Sequence, residues 1–431
     1  MPRLAGSPDK PKTQHWSNLG ENEVKTVIKN VLLGSVAGLA MVGTAAAADL
    51  PVKAKAAEYV KICSTYGAGF YYIPGSDTCL KIGGFVQTDY NYQDYSYLDG
   101  YDYQDTYFLA RGALRVDART QTEYGTLRSY FEYRLTYGGS GSDFSESTGS
   151  NLDKAYIQFA GFTFGKVQSF FDYYADNNIW GIDSIAITSD TNAIVAAYTA
   201  DFGNGFTATI SIEDDSARAN GVDFDIYGNT ESDIPALVGN LNYEGEWGGF
   251  QVSGMVRQLD SDYYGWDSGD DVAWAVLGGV KFNLPTFGEG DTLYIEATYA
   301  DGAPDYTGIN GGYSSIYPVY DLYYNPNSDS LEAATAWTIA AELTHFFSPN
   351  VYGVVFGNYG EADLPVNTTS PSYDLFNVGA SLNWTPVKGL LFVAQYTYGE
   401  TSYDTAVVDY KGNLTTSSDF NQVILSVRRT F

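Results

Sequence analysis

The chain has 431 residues with 52 acidic against 23 basic side chains and only two histidines, a formal net charge of −29 at pH 7. So acidic a chain is a poor match for nucleic acid, and two histidines with two cysteines leave almost no material for a histidine-based catalytic triad or a Cys/His metal site. Thirty-eight tyrosines, 46 glycines, 14 prolines and 16% aromatic side chains describe a β-rich, turn-rich chain; a helical enzyme would show more Leu, Ala, Glu and Lys at helical spacing.

Near the start, Lys25 and Lys29 precede an apolar run at 31–41, and four alanines at 45–48 lead to Asp49. A charged flank, a short apolar stretch and a small-residue exit are the parts of a secretory signal, so residues 1–48 are expected to be removed on export. A buried core helix fits the length and flanks less well. Residues 1–23 carry three prolines and no apolar period, and a start at Val24 would make them a spurious extension. No later run reaches eighteen apolar residues, so a membrane reading requires strands closed into a barrel. Residues 49–79 read as a short periplasmic segment and 80–431 as one continuous β-domain without a linker. Cys63 and Cys79 share the exported part, where an oxidising compartment allows them to pair or leaves two free thiols.

In the stretch 108–119, Arg111, Arg115 and Arg119 share a face with Ala113 and Asp117, opposite Phe108, Ala110, Gly112, Leu114, Val116 and Ala118. The next strand sets Arg128, Tyr130, Glu132 and Arg134 against Leu127, Phe131, Tyr133 and Leu135. Lys154, Tyr156 and Gln158 then oppose Ala155, Ile157 and Phe159. Six cations on one face of three consecutive strands would each cost about 2–4 kcal/mol if lipid-exposed at mid-depth, so the face is expected to line a water-filled lumen. A solvated face of a soluble sheet is the other reading. Residues 170–183 follow, with Asp172, Asp176 and Asp183; folded inward, they would oppose the basic ladder and set a transverse field across a constriction. Loop direction is not encoded in spacing, and an outer surface loop is the alternative.

Alternation continues downstream, as in Phe206/Ala208/Ile210/Ile212 against Thr207/Thr209/Ser211/Glu213 and Trp337/Ile339/Ala341/Leu343 against Thr338/Ala340/Glu342/Thr344. Short turns are predicted at 123–126, 160–163, 201–205, 244–249, 283–290, 347–350 and 385–389, alternating with long Asp-rich loops. Seven turns plus the meeting of the two ends give sixteen strands, with the short-turn/long-loop asymmetry of an outer-membrane barrel. Aromatic residues flank the turns, including Phe202, Trp247, Phe287, Phe346 and Trp384, as an interfacial girdle requires. Residues 260–271 begin like a calcium loop, but Tyr264 stands at a ligand position and Asp271 replaces the bidentate glutamate, so an acidic outer loop is expected and no metal site. His345 sits alone on an apolar face at a strand end. The last segment, NQVILSVRRTF at 421–431, alternates Val423, Leu425 and Val427 with Gln422, Ser426 and Arg428 and ends on Phe431, which is how such barrels end.

The blocks EYVKIC at 58–63 and GAGFYYIPGSDTCLKIGG at 67–84 resemble the mature start of the alphaproteobacterial, rhizobial-type general porin family. FAGFTFGKVQSFF at 159–171 resembles that family's strand entering the inward-folded third loop. The resemblance spans 49–431 and implies an all-β, sixteen-stranded antiparallel transmembrane barrel in the bacterial outer membrane, a homotrimer, a Cys63–Cys79 bridge at the periplasmic rim and an assembly signal at Phe431. Lys166 stands where the family pattern leads one to expect arginine, and the loops are unusually rich in Asp and Tyr. The function expected is passive diffusion of small hydrophilic solutes and ions without cofactor or catalysis. A surface adhesin with a plugged lumen is the second reading, although it has no use for six lumen cations.

Overall fold

The computed structural model describes residues 61–96, 106–138, 147–173, 181, 188–222, 234–259, 272–309, 319–325, 327–328, 330–365, 371–409 and 411–431. The expected export signal, Asp176, Asp183 and the acidic stretch 260–271 lie outside them.

Sixteen strands form one wall: β1 (Cys79–Tyr95), β2 (Thr106–Thr122), β3 (Gly125–Gly138), β4 (Ser147–Phe159), β5 (Phe162–Gln168), β6 (Asn192–Gly203), β7 (Phe206–Glu213), β8 (Ala236–Gly245), β9 (Gly248–Gln258), β10 (Val272–Asn283), β11 (Thr292–Asp301), β12 (Thr335–Ser348), β13 (Val351–Asp363), β14 (Tyr373–Val387), β15 (Leu390–Val408) and β16 (Leu414–Thr430). Each pairs antiparallel with the next, and β16 pairs with β1, so the sheet closes on itself. The seam continues past the named strands: Phe431 N–H donates to the Gly84 carbonyl at 3.0 Å and Gly84 N–H to the Phe431 carbonyl at 3.1 Å. Only glycine fits there, because a Cβ on Gly84 would stand 2.0 Å from the Ala113 carbonyl oxygen.

All seven expected turns join consecutive strands, at 123–124, 160–161, 204–205, 246–247, 284–291, 349–350 and 388–389. Two of them carry residues of positive φ in succession, Ala160–Gly161 and Asn204–Gly205, the geometry that matches the twist of a tight hairpin. At the opposite end run the longer connections, of which the third (169–191), fourth (214–235) and sixth (302–334) bear on the lumen.

Burial is inverted relative to a soluble sheet. On β12 the side chains of Thr338, Glu342 and Thr344 are buried while Ile339 and Leu343 are exposed, and on β7 Thr209, Ser211 and Glu213 are buried while Ile210 and Ile212 are exposed. Water would reverse this order; lipid outside and a polar interior produce it. Rings of Phe202, Trp247, Phe287, Phe347 and Trp384 stand exposed near the short turns, and Phe346 stacks on Tyr352 at 4.9 Å.

The wall is uneven in height. β5 has seven residues and β7 eight, against about 9–11 needed for a tilted strand to cross the hydrocarbon core. The third connection therefore leaves the sheet partway up, where its first residues meet the inner wall. Asn240 of β8 donates to the Phe170 carbonyl at 2.6 Å, Gln251 of β9 to the Asp172 carbonyl at 3.0 Å and Tyr294 of β11 to the Tyr173 carbonyl at 2.9 Å.

Cys63 and Cys79 form the expected disulfide, with Cα atoms 5.9 Å apart. Both are buried against Phe70. The segment they close packs at the short-turn end of β1 and β2.

The inverted burial makes a direct prediction. Ile339→Arg, on the outward face of β12, is expected to lower barrel stability by about 2–4 kcal/mol in vesicles, measured by urea unfolding. A loss below about 1 kcal/mol, the cost near an interface, would remove Ile339 from the membrane interior.

Candidate functional site

The residues with charge to act on a solute sit on the inner faces of β2, β3 and β4, where period-two alternation in three strands of adjacent register stacks them into one patch. In this register Arg115 lies opposite Glu132, Arg119 opposite Arg128 and Arg111 opposite Thr136. Arg115 makes a two-pronged contact with Glu132, at 2.6 and 3.2 Å. Arg134 approaches the other side of Glu132 at 2.7 Å and Asp153 at 2.8 Å. Asp117 is held by two arginines at once: Arg119 at 2.7 and 3.0 Å, and Arg128 at 3.0 and 3.1 Å. Arg111 donates to Thr136 Oγ1 at 2.8 Å. Lys154 faces Glu132 across the β3–β4 ladder.

Exposure decides which charges face the lumen. The side chains of Arg115, Arg119, Arg128 and Arg134 are 25–34% exposed, whereas those of Asp117, Glu132 and Asp153 are 2–11% exposed. The carboxylates lie in the wall and the guanidinium heads over them, so the patch shows a positive surface although half its charge is matched beneath. Tyr130 and Tyr156 stack at 5.2 Å with the Arg128 guanidinium over both rings. Planar cations laid on aromatic faces stay extended along the wall. At the short-turn end Arg119 stacks on Tyr66 and Phe70 of the disulfide-closed segment, at 5.6 and 5.0 Å, so that segment borders the patch.

The structure brings all six expected cations together. It places Asp172 elsewhere: its carboxylate accepts from Arg218, Ser189 and Gln168 of β5 at 2.5 Å and from the Thr191 amide at 2.8 Å. Residue parity could not show this partner, because Arg218 lies in the fourth connection, where no period exists. Asp153 escaped for another reason. A bulge between β3 and β4 inserts it beside Lys154, so two successive residues answer to Glu132. Arg257, on the inner face of β9 and bonded to Asp215 at 3.1 Å and Asp321 at 2.8 Å, did carry a signal, since Gln251, Ser253 and Arg257 alternate with Val252, Gly254 and Val256. His345 meets Asp291 at 2.6 Å beside a short turn, and among the described residues no group of three potential metal ligands occurs. Phe431 stands at the rim with its ring exposed.

Asp305, in the sixth connection, borders the Arg218 cluster. Burial pushes its carboxyl up to about 6, with Asp321 and Asp172 acting in the same sense against Arg218 and Arg257. A folded value above the unfolded one favours the packed loops at low pH; that contribution is complete below the unfolded value and lost as pH rises through the folded one. Asp305→Asn, which stays neutral, is therefore expected to have a higher thermal midpoint than the parent at pH 7.5, the gap narrowing by pH 5 and closing only below about pH 4. An equal gap at both pH values would assign the titration to another group.

A family model described as porin subfamily matches residues 49–425. Porin Omp2a of Brucella melitensis is 32% identical over 340 residues, covering 67% of this chain and 89% of that protein, and porin Omp2a of Brucella ovis is 33% identical with 67% and 94% covered. Among solved structures, the outer membrane channel DcaP of Acinetobacter baumannii superposes with a TM-score of 0.65 at 17% identity, covering 84% of this chain and 99% of that one. OmpF of Salmonella typhi gives 0.53 at 14% identity, with 82% and 98% covered.

Proposed function

Because the chain belongs to the porin subfamily and folds as a closed barrel of the outer membrane, we propose that its lumen passes small hydrophilic solutes and ions down their gradients, with the β2–β4 ladder as the anion-attracting wall of the constriction. The carrying observation is the layered charge: Arg115, Arg119, Arg128 and Arg134 exposed to the lumen above buried Asp117, Glu132 and Asp153. Fixed side chains of one sign across a narrow passage sort solutes by charge and size without holding them. The protein acts as a channel and needs no chemistry or cofactor for this.

Arg111 and Lys154 extend the ladder in this reading. The short turns face the periplasm with residues 49–79, after removal of 1–48, and the barrels assemble as a homotrimer, a reading supported by family membership alone. The chain's excess of acid outside the ladder concentrates cations at the mouth. At physiological salt the Debye length is about 8 Å, so mouth charges act on entry whereas ladder charges act on ions passing beside them.

Arg115→Gln with Arg128→Gln is expected to shift the zero-current potential of single channels in a planar bilayer toward cations, and Asp117→Asn with Glu132→Gln toward anions. Raising salt should weaken the mouth's contribution before the ladder's. Unchanged selectivity in both double variants would remove these residues from the ion path.

A further inference from the structure

A second set of charges lies inside the barrel, opposite the ladder, and contributes little surface to the lumen. Arg218 and Asp172 have side chains only 2% and 0% exposed; Arg257 and Asp321 are 1% and 0% exposed. Arg218 comes from the fourth connection, Asp172 from the root of the third, Asp321 from the sixth and Arg257 from β9. Arg218 bonds Asp172 at 2.5 Å and Ser189 Oγ at 2.8 Å, the two ends of the third connection. Its guanidinium also lies over the Tyr306 ring of the sixth at 4.3 Å, and that ring packs edge-on against Phe171 at 5.0 Å. Arg257 joins Asp215, Asp321 and the Gly302 carbonyl at 2.8–3.1 Å. Asn220 N–H donates to Asp321 at 2.8 Å. Arg218 thus ties the third, fourth and sixth connections to one another, and Arg257 ties the fourth and sixth to the wall at β9.

We propose that Arg218 and Arg257 are positioning residues of the pore: they clamp the root of the third connection, with the fourth and sixth, to the inner face of β8–β11, and so fix the width and steadiness of the open passage. A buried pair that loses one partner leaves an uncompensated charge, which is expelled toward water rather than tolerated. Removing Arg218 leaves Asp172 without its cation and cuts the tie that joins both ends of the third connection to the fourth and sixth, while the neutral bonds from Asn240, Gln251 and Tyr294 remain. The clamp rests on the channel reading, and the ladder has no part in it.

The test is single-channel recording of the full-length barrel in planar bilayers, with heat-modifiable mobility on gels as the folding control. Arg218→Met and Arg257→Met are expected to raise the occupancy of conductance sublevels by about tenfold or more, as loss of a buried pair shifts a docked–undocked equilibrium. Arg218→Lys should restore most of the steady level. The sublevels should persist at high salt, since buried charges are little screened, while ladder-based selectivity fades. Folded Arg218→Met and Arg257→Met channels with the parent's single steady level would overturn the clamp. Failure of Arg218→Lys as well as Arg218→Met to fold would also overturn it, by making the pair a condition of folding. A parent barrel that does not conduct would instead defeat the channel reading.

Discussion

The constraint on which everything else rests is that a backbone amide or carbonyl facing hydrocarbon has no water to bond. Each unmet group costs several kcal/mol, so a sheet in lipid must have no edge. Here that is met by the β16–β1 ladder, which runs from Phe420 opposite Tyr95 to Thr430 opposite Phe85 and on to Phe431 and Gly84. Once the sheet closes, residue parity becomes destiny: every second side chain is committed to lipid and its neighbours to the interior. Ser426 and Leu425 sit one residue apart yet are 2% and 48% exposed, the polar one inside. The inward position of the arginines on β2 and β3 follows from that commitment.

Inside, desolvation arranges the charges in two ways. On β2–β4 the carboxylates are sunk in the wall and the arginines that neutralise them keep part of their surface wet, so no ion is stranded and the passage still feels positive charge. Near β8–β11 the pairs are nearly dry, and a dry pair gains little net stability over apolar packing but is costly to break. Such pairs act as a registry device, which suits connections that must hold one conformation beside a stream of solute. The short strands β5 and β7 give those connections room to enter.

Much of this was legible in the residues because barrels repeat one simple rule. Gly and Asn at the turns marked 160–161 and 204–205, and the inner faces of β2 and β3 read directly as Arg111/Arg115/Arg119 and Arg128/Arg134. The sequence reading stopped where the rule is broken or absent. At Asp153 a bulge places two neighbours on one face, and no composition cue marks it. Arg218 belongs to a loop, whose fold is decided by partners more than a hundred residues away, such as Asp321 for Asn220. Asp172 was recognisable as a third-loop acid, but its neighbour was not, so its placement against Arg218 rather than the ladder emerged only in three dimensions.

The closing seam also governs how the protein is made. Ser426 of β16 bonds Asp89 of β1 across 337 residues of chain, so the first strand waits for the last before its outer edge is satisfied. Contacts of such sequence separation form slowly, and an unpaired strand edge invites aggregation meanwhile. A chain broken off before β16 leaves β1 and β15 both open and cannot become a sealed body.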